Sequence, residues 1–147
     1  MTYTEDRSKL KFEAPRSVVE IVGESLGVIG LVALVGVTIW AWQGGGSRIT
    51  LLMFLAPGIT LYAFISVIAL FPRVWNFPVE LTPENVTYQY QNTRSLVTWL
   101  KPVIVWGFTH MQWSATGGAG LGAAFLPLFV GSVVIILGIH IWRGCRV

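Results

Sequence analysis

Charge is missing from three long stretches of this chain, and that restricts the fold more than any motif. No Asp, Glu, Lys or Arg occurs from Ser25 to Ser47, from Ile49 to Pro72, or from Pro102 to Trp142. A helix of about 20 apolar residues crosses a bilayer's hydrocarbon core, so these stretches leave room for about four crossings. The predicted fold is an all-α membrane protein. Its single domain over residues 1–147 holds four transmembrane helices near 25–42, 49–71, 96–116 and 121–142. Composition agrees: 54% of the residues are hydrophobic and 12% charged, against roughly 25% charged in soluble domains.

The connections set the topology. Gln43–Arg48 and Ala115–Gly120 are short glycine turns, and only residues 72–95 form a sizeable linker. Arg7, Lys9, Lys11, Arg16, Arg73, Arg94, Lys101, Arg143 and Arg146 fall on one side of this plan, and Arg48 alone on the other. The positive-inside rule then puts both termini and the linker in the cytoplasm of a multi-pass protein of the cell membrane. Trp40, Trp42 and Trp113 are expected at the outer interface, and Trp75, Trp99 and Trp142 at the inner one. Met1–Arg16 has no compact apolar core, so the first span is expected to act as an uncleaved targeting signal.

In the linker, Thr82-Pro83-Glu84 reads as a helix start, with Thr82 as N-cap and Pro83 at the first helical position. Val86, Tyr90, Leu96 and Leu100 then form an apolar stripe, with Gln89, Asn92 and Arg94 expected to face water or headgroups. This predicts an amphipathic helix between spans two and three. Asn85-Val86-Thr87 matches a glycosylation acceptor, which would be silent on the cytoplasmic side.

Candidate site residues are sparse. Arg16, Glu20 and Glu24 share one helix face at the start of the first span. A carboxylate at a membrane edge needs solvent or a partner, so Glu24 is expected to meet Lys101 or Arg94 across helices. Gly23, Gly27, Gly30, Ala33 and Gly36 make a small-residue helix-packing track, read as internal packing or as a face for another chain. Pro57 and Pro127 are expected to bend the second and fourth spans. His110 and His140 are the only histidines, and their depths differ by roughly 20 Å at 1.5 Å per residue. They therefore cannot share a metal; each is read as structural, with single-ligand cofactor binding as the alternative. Cys145, the one cysteine, excludes an intrachain disulfide and a multi-cysteine metal site.

No nucleophile-plus-base set, phosphate-binding glycine loop or pair of catalytic carboxylates is visible, so no enzyme and no cofactor is expected. The net charge of +3 comes without a basic cluster of interleaved aromatics, so no nucleic-acid partner is expected. The partners expected are the lipid bilayer and a membrane protein or a second copy of the chain. The first functional expectation is a non-enzymatic accessory or structural subunit. A toxin-immunity or sensing protein is the alternative, and a small transporter the third reading.

Phe71-Pro72, Asn76-Phe77-Pro78-Val79, Thr82–Asn85, Tyr90, Arg94, Trp99-Leu100-Lys101, Ala119-Gly120-Leu121-Gly122 and Phe125-Leu126-Pro127 carry a resemblance. Glu20 and Glu24 match acidic positions before the first span. Over most of its length the chain resembles a family of small bacterial and archaeal membrane proteins of unknown function. That family's domain also occurs at the N-terminus of immunity proteins against the sporulation-delay toxin. The resemblance implies the immunity or sensing alternative. Family members usually carry a longer outer segment after the first span; here only Gln43–Arg48 stands there. That departure favours a role within the bilayer or through the cytoplasmic face.

Overall fold

The structure, a computed structural model, describes residues 10–117 and 120–146. It is all-helical: α1 is Val18–Gln43, α2 Arg48–Ala69, α3 Val86–Gly117 and α4 Phe125–Gly144, with a 3-10 turn at Pro72–Val74. Arg7 and Lys9 of the basic arm, and Gly118 and Ala119 of the second predicted turn, lie outside the described residues.

α1, α2 and α4 are long and apolar enough to cross a membrane, and they mark the chain as a membrane protein. Burial supports this. Glu20, Gln89, Asn92, Lys101, Gln112 and His140 are buried, while Ile29, Val32, Phe64, Leu128 and Ile135 are exposed. A water-soluble fold of this size would do the reverse.

Local chemistry sets the helix ends. Ser17 caps α1 reciprocally: its Oγ accepts from the Glu20 amide at 3.2 Å, and its own amide donates to Glu20 Oε2 at 2.8 Å. At the far end Gly45 takes φ 81°, the Gly46 amide reaches Ala41 O at 2.9 Å and the Gly45 amide reaches Trp42 O at 3.1 Å. That is a Schellman stop, with glycine where a side chain would be strained.

α3 differs from the expected linker helix and third span in being a single helix of 32 residues, about 48 Å long at 1.5 Å per residue. It begins at Val86 rather than at the expected Pro83, and Thr82 closes the turn that precedes it: Thr82 Oγ1 accepts from the Asn85 amide, and Asn85 Oδ1 accepts from the Thr82 amide. The Thr82 hydroxyl also holds the fully exposed Glu84 carboxyl below the ordinary carboxylate range. The expectation that Gln89, Asn92 and Arg94 face water is overturned. Gln89 is 0% exposed, Asn92 is buried, and Arg94 is held in an ion pair. Their stripe faces the other helices, because in a bundle walled by apolar helices the polar side of α3 finds its partners inside.

α3 is the hub, packing against α1, α2 and α4. It runs from the Glu20 end of α1, where Arg94 meets Glu20, to the far end, where Trp113 stacks on Trp40 with centroids 5.2 Å apart. Both ends of the described chain and the 70–85 connection gather at the Glu20 end. There Phe12 lies against Phe77 and Tyr90, and Gly144 lies against Pro78 and Asn92.

Two further expectations change. Pro57 lies inside α2, but Pro127 sits in the first turn of α4, where its missing N–H has no helical partner to lose. Trp40, Trp42, Trp113 and Trp142 are exposed near helix ends, whereas Trp75 is a core residue, 5% exposed. Its Nε1 donates to Ile68 O at 2.9 Å and its ring stacks on Tyr90.

Candidate site at the ionic end of the bundle

The first two turns of α1 and the first half of α3 bring four charges together. Arg94 grips Glu20 in a fork, Nε to Oε1 at 2.9 Å and Nη2 to Oε2 at 2.9 Å. Its remaining reach goes to the arm before α1: Nη1 donates to Ala14 O at 2.9 Å and Nη2 to Pro15 O at 2.7 Å. One turn deeper, Lys101 Nζ donates to both Glu24 oxygens at 2.8 and 3.0 Å, and Thr98 Oγ1 reaches Glu24 Oε1 at 3.4 Å. Aromatic faces flank both cations: Arg94 lies 5.0 Å from the Tyr90 ring centre and Lys101 5.7 Å from that of Tyr62. Of the two partners expected for Glu24, Lys101 is the one it meets; Arg94 is taken by Glu20.

These pairs line a cavity of about 680 Å³ between α1, α2, α3 and the N-terminal arm, with Ser66, Leu70 and Arg16 also on its wall. Arg16 stands exposed beside it. Among the described residues neither ion pair includes it.

The glycine track explains how the pairs come so close. A Cβ on Gly23 would sit 2.8 Å from Thr98 Cγ2, one on Gly27 3.2 Å from Tyr62 Cε2, and one on Gly30 2.6 Å from Val105 Cγ1. These three glycines let α1 lie against α3 and α2. Gly36, at the end of the same track, meets nothing within 4 Å, and Ala33 is half-buried. The track therefore faces inward over its first half only.

Sequence reasoning missed a second polar junction. Near the end of α4 three α3 side chains bind main-chain carbonyls: Asn92 Nδ2 donates to His140 O at 2.7 Å, Gln89 Nε2 to Gly144 O at 2.8 Å and the Tyr88 hydroxyl to Arg143 O at 3.3 Å. Gln89 Oε1, Asn92 Oδ1 and His140 Nε2 are buried without a partner among the described residues. The signal was present in the sequence. Thr98, Lys101, Val105, Thr109 and Gln112 follow one another at spacings of three and four, so the polar face of the linker continues down the whole helix.

The two histidines stay apart. His110 is exposed and stacks on Phe125, the first residue of α4, at 4.7 Å. His140 is buried, its Nδ1 2.8 Å from Ile136 O, and lies roughly 22 Å further along that helix. Among the described residues no three His, Cys, Asp or Glu side chains gather as metal ligands would.

Neither protein-family models, nor curated proteins, nor solved structures yield a match to this chain.

Proposed function

We propose that the chain is a four-span membrane protein, with both termini and the Pro72–Asn85 connection in the cytoplasm, that works without catalysis as an accessory subunit of a membrane assembly. The fourth crossing is α3, whose polar residues are tolerated because α1, α2 and α4 supply partners and shield them from lipid. The orientation rests on the basic residues at the Glu20 end.

The observation that carries the subunit reading is the state of α4. Only His140 and Gly144 of its twenty residues are buried, and a Cβ on Gly131 or Gly138 would meet nothing within 4 Å. Those two glycines are seven residues apart, two helical turns, on a face that the chain leaves uncovered, and small residues on such faces let a second helix approach closely. Gly23, Gly27 and Gly30 are occupied internally and leave this role to α4.

Native mass spectrometry of the full chain, extracted gently from its own membrane, tests the reading. Stoichiometric partner chains that are lost in Gly138→Leu support it. A monomer with no associated chain removes it. Topology has its own test, because Cys145 is the sole cysteine and is exposed. A membrane-impermeant maleimide should label it only after the cells are opened; labelling of intact cells reverses the orientation.

A second reading, immunity or sensing, is favoured by one observation. Four of the residues that carry the family resemblance make contacts at the Glu20 end: Pro78 on Gly144, Phe77 on Phe12, Arg94 on Glu20 and Lys101 on Glu24. Deletion of the gene should then change sensitivity to a peptide toxin, and unchanged sensitivity removes this reading.

A further inference from the structure

The cavity at the ionic end combines a charge imbalance with an apolar exit. Three cations and two carboxylates line it. Glu20 and Glu24 are consumed by Arg94 and Lys101, and the Arg94 guanidinium already makes four hydrogen bonds. Arg16 is therefore the cation left over among the described residues, one residue before the N-cap of α1. The positive end of that helix adds to the field at the mouth. The cavity lies where α1 begins and α2 ends, both of them helices long enough to span, so it opens at the level of the phosphate headgroups. This holds for either orientation of the chain.

What separates a lipid from a free anion is the wall beside the mouth. Val67 and Leu70 of the cavity lining are 52% and 73% exposed on the outer surface of the bundle. An anion bound at Arg16 would have an apolar strip running from it into the hydrocarbon. A free anion gains nothing from that strip, whereas a lipid lays an acyl chain along it.

We propose that this cavity seats an anionic phospholipid, its phosphate on Arg16 and an acyl chain along Val67 and Leu70. The test is native mass spectrometry of the full chain loaded from mixed micelles of phosphatidylglycerol and phosphatidylcholine. The wild type should retain phosphatidylglycerol preferentially. Arg16→Gln should lower that retention roughly five-fold, the worth of one cation at a membrane surface. Arg146→Gln removes the same charge at the same end of the bundle, outside the cavity, and should leave retention unchanged. Leu70→Ser, at a position 73% exposed, should loosen the lipid with Arg16 intact. Equal retention of the two lipids, or equal loss in the Arg16 and Arg146 variants, overturns the proposal. Displacement of the lipid by millimolar inorganic phosphate, with Leu70→Ser behaving as wild type, overturns the lipid assignment in favour of a free anion.

Discussion

α3 and α4 run side by side and obey opposite rules. α3 carries Arg94, Lys101, two buried amides in its first turns and Gln112 near its end, and it is the most enclosed helix of the bundle. α4 is almost wholly apolar and is nearly unpacked. In water the apolar helix would be the buried one. In lipid there is no gain from hiding a leucine from a hydrocarbon tail, whereas every unpaired polar group in hydrocarbon costs several kcal/mol. Interior position is therefore assigned by polarity, and the chain's most polar helix becomes its core.

If that is right, stability is concentrated in the polar contacts of α3. Arg94→Met leaves the Glu20 carboxylate buried and uncompensated, and should cost about 3–5 kcal/mol. The double variant Arg94→Met, Glu20→Leu should recover much of it, since an apolar pair of similar volume carries no unpaired charge. On α4, Ser132→Ala removes only a bond to the helix's own Leu128 carbonyl, and should lie within about 0.5 kcal/mol of wild type. Thermal unfolding in mild detergent compares them. Equal costs for Arg94 and Ser132 would break the contrast between the two helices.

Glycines give the next largest difference. Gly30→Val drives a methyl-bearing carbon into Val105 and Trp106 and should cost about 1–3 kcal/mol. It also strains the close approach that lets Thr109 Oγ1 reach Gly30 O at 3.3 Å and Trp106 Nε1 reach Leu26 O at 3.1 Å. Gly138→Val on α4 meets nothing within 4 Å and should leave the isolated chain's unfolding unchanged. A large loss from Gly138→Val in a sample free of other chains would mean that α4 packs more tightly than its exposure indicates.

Asn92 sharpens the comparison where the two helices touch. Asn92→Leu removes the donor to His140 O, and should cost about 0.6–1.7 kcal/mol, the range of side-chain hydrogen bonds inside membranes. Hydrogen exchange of the last turn of α4 should rise with it, because α3 side chains brace that turn beyond what its own amides supply. Unchanged exchange there would remove Asn92 as the tie between the helices.

The three apolar helices were legible from the charge map because a span of hydrocarbon-facing residues excludes charge. That Glu24 would meet a cation across helices was also legible, from the cost of a lone carboxylate at that depth, but not whether the cation would be Lys101 or Arg94. α3 was misread at its start, where Gln89 and Asn92 were assigned to water. The amphipathic pattern was right; its interpretation assumed that a polar stripe seeks solvent. Only the neighbours decide that, and they arrive from residues 50 or more positions away, as when Gln89 meets Gly144. The partner of Glu20 was hidden for the same reason, since Arg94 and Lys101 stand seven residues apart on one face of α3, about 10 Å, and the register of α1 against α3 chose between them.

Gln112 is where the rule meets its own exception. It is 0% exposed, and neither its Nε2 nor its Oε1 has a partner among the described residues. Polarity alone would place it inside, but an unpaired buried amide costs about 1–3 kcal/mol where a paired one contributes. Gln112→Leu keeps the volume and removes both unpaired atoms, so it should raise stability by about 1 kcal/mol, opposite in sign to every other α3 substitution above. The same unfolding measurement reads it. A loss of similar size would mean that Gln112 is paired after all, by a group outside the described residues. α3 would then be polar because each of its polar groups is held, and burial by polarity would reduce to burial by partnership.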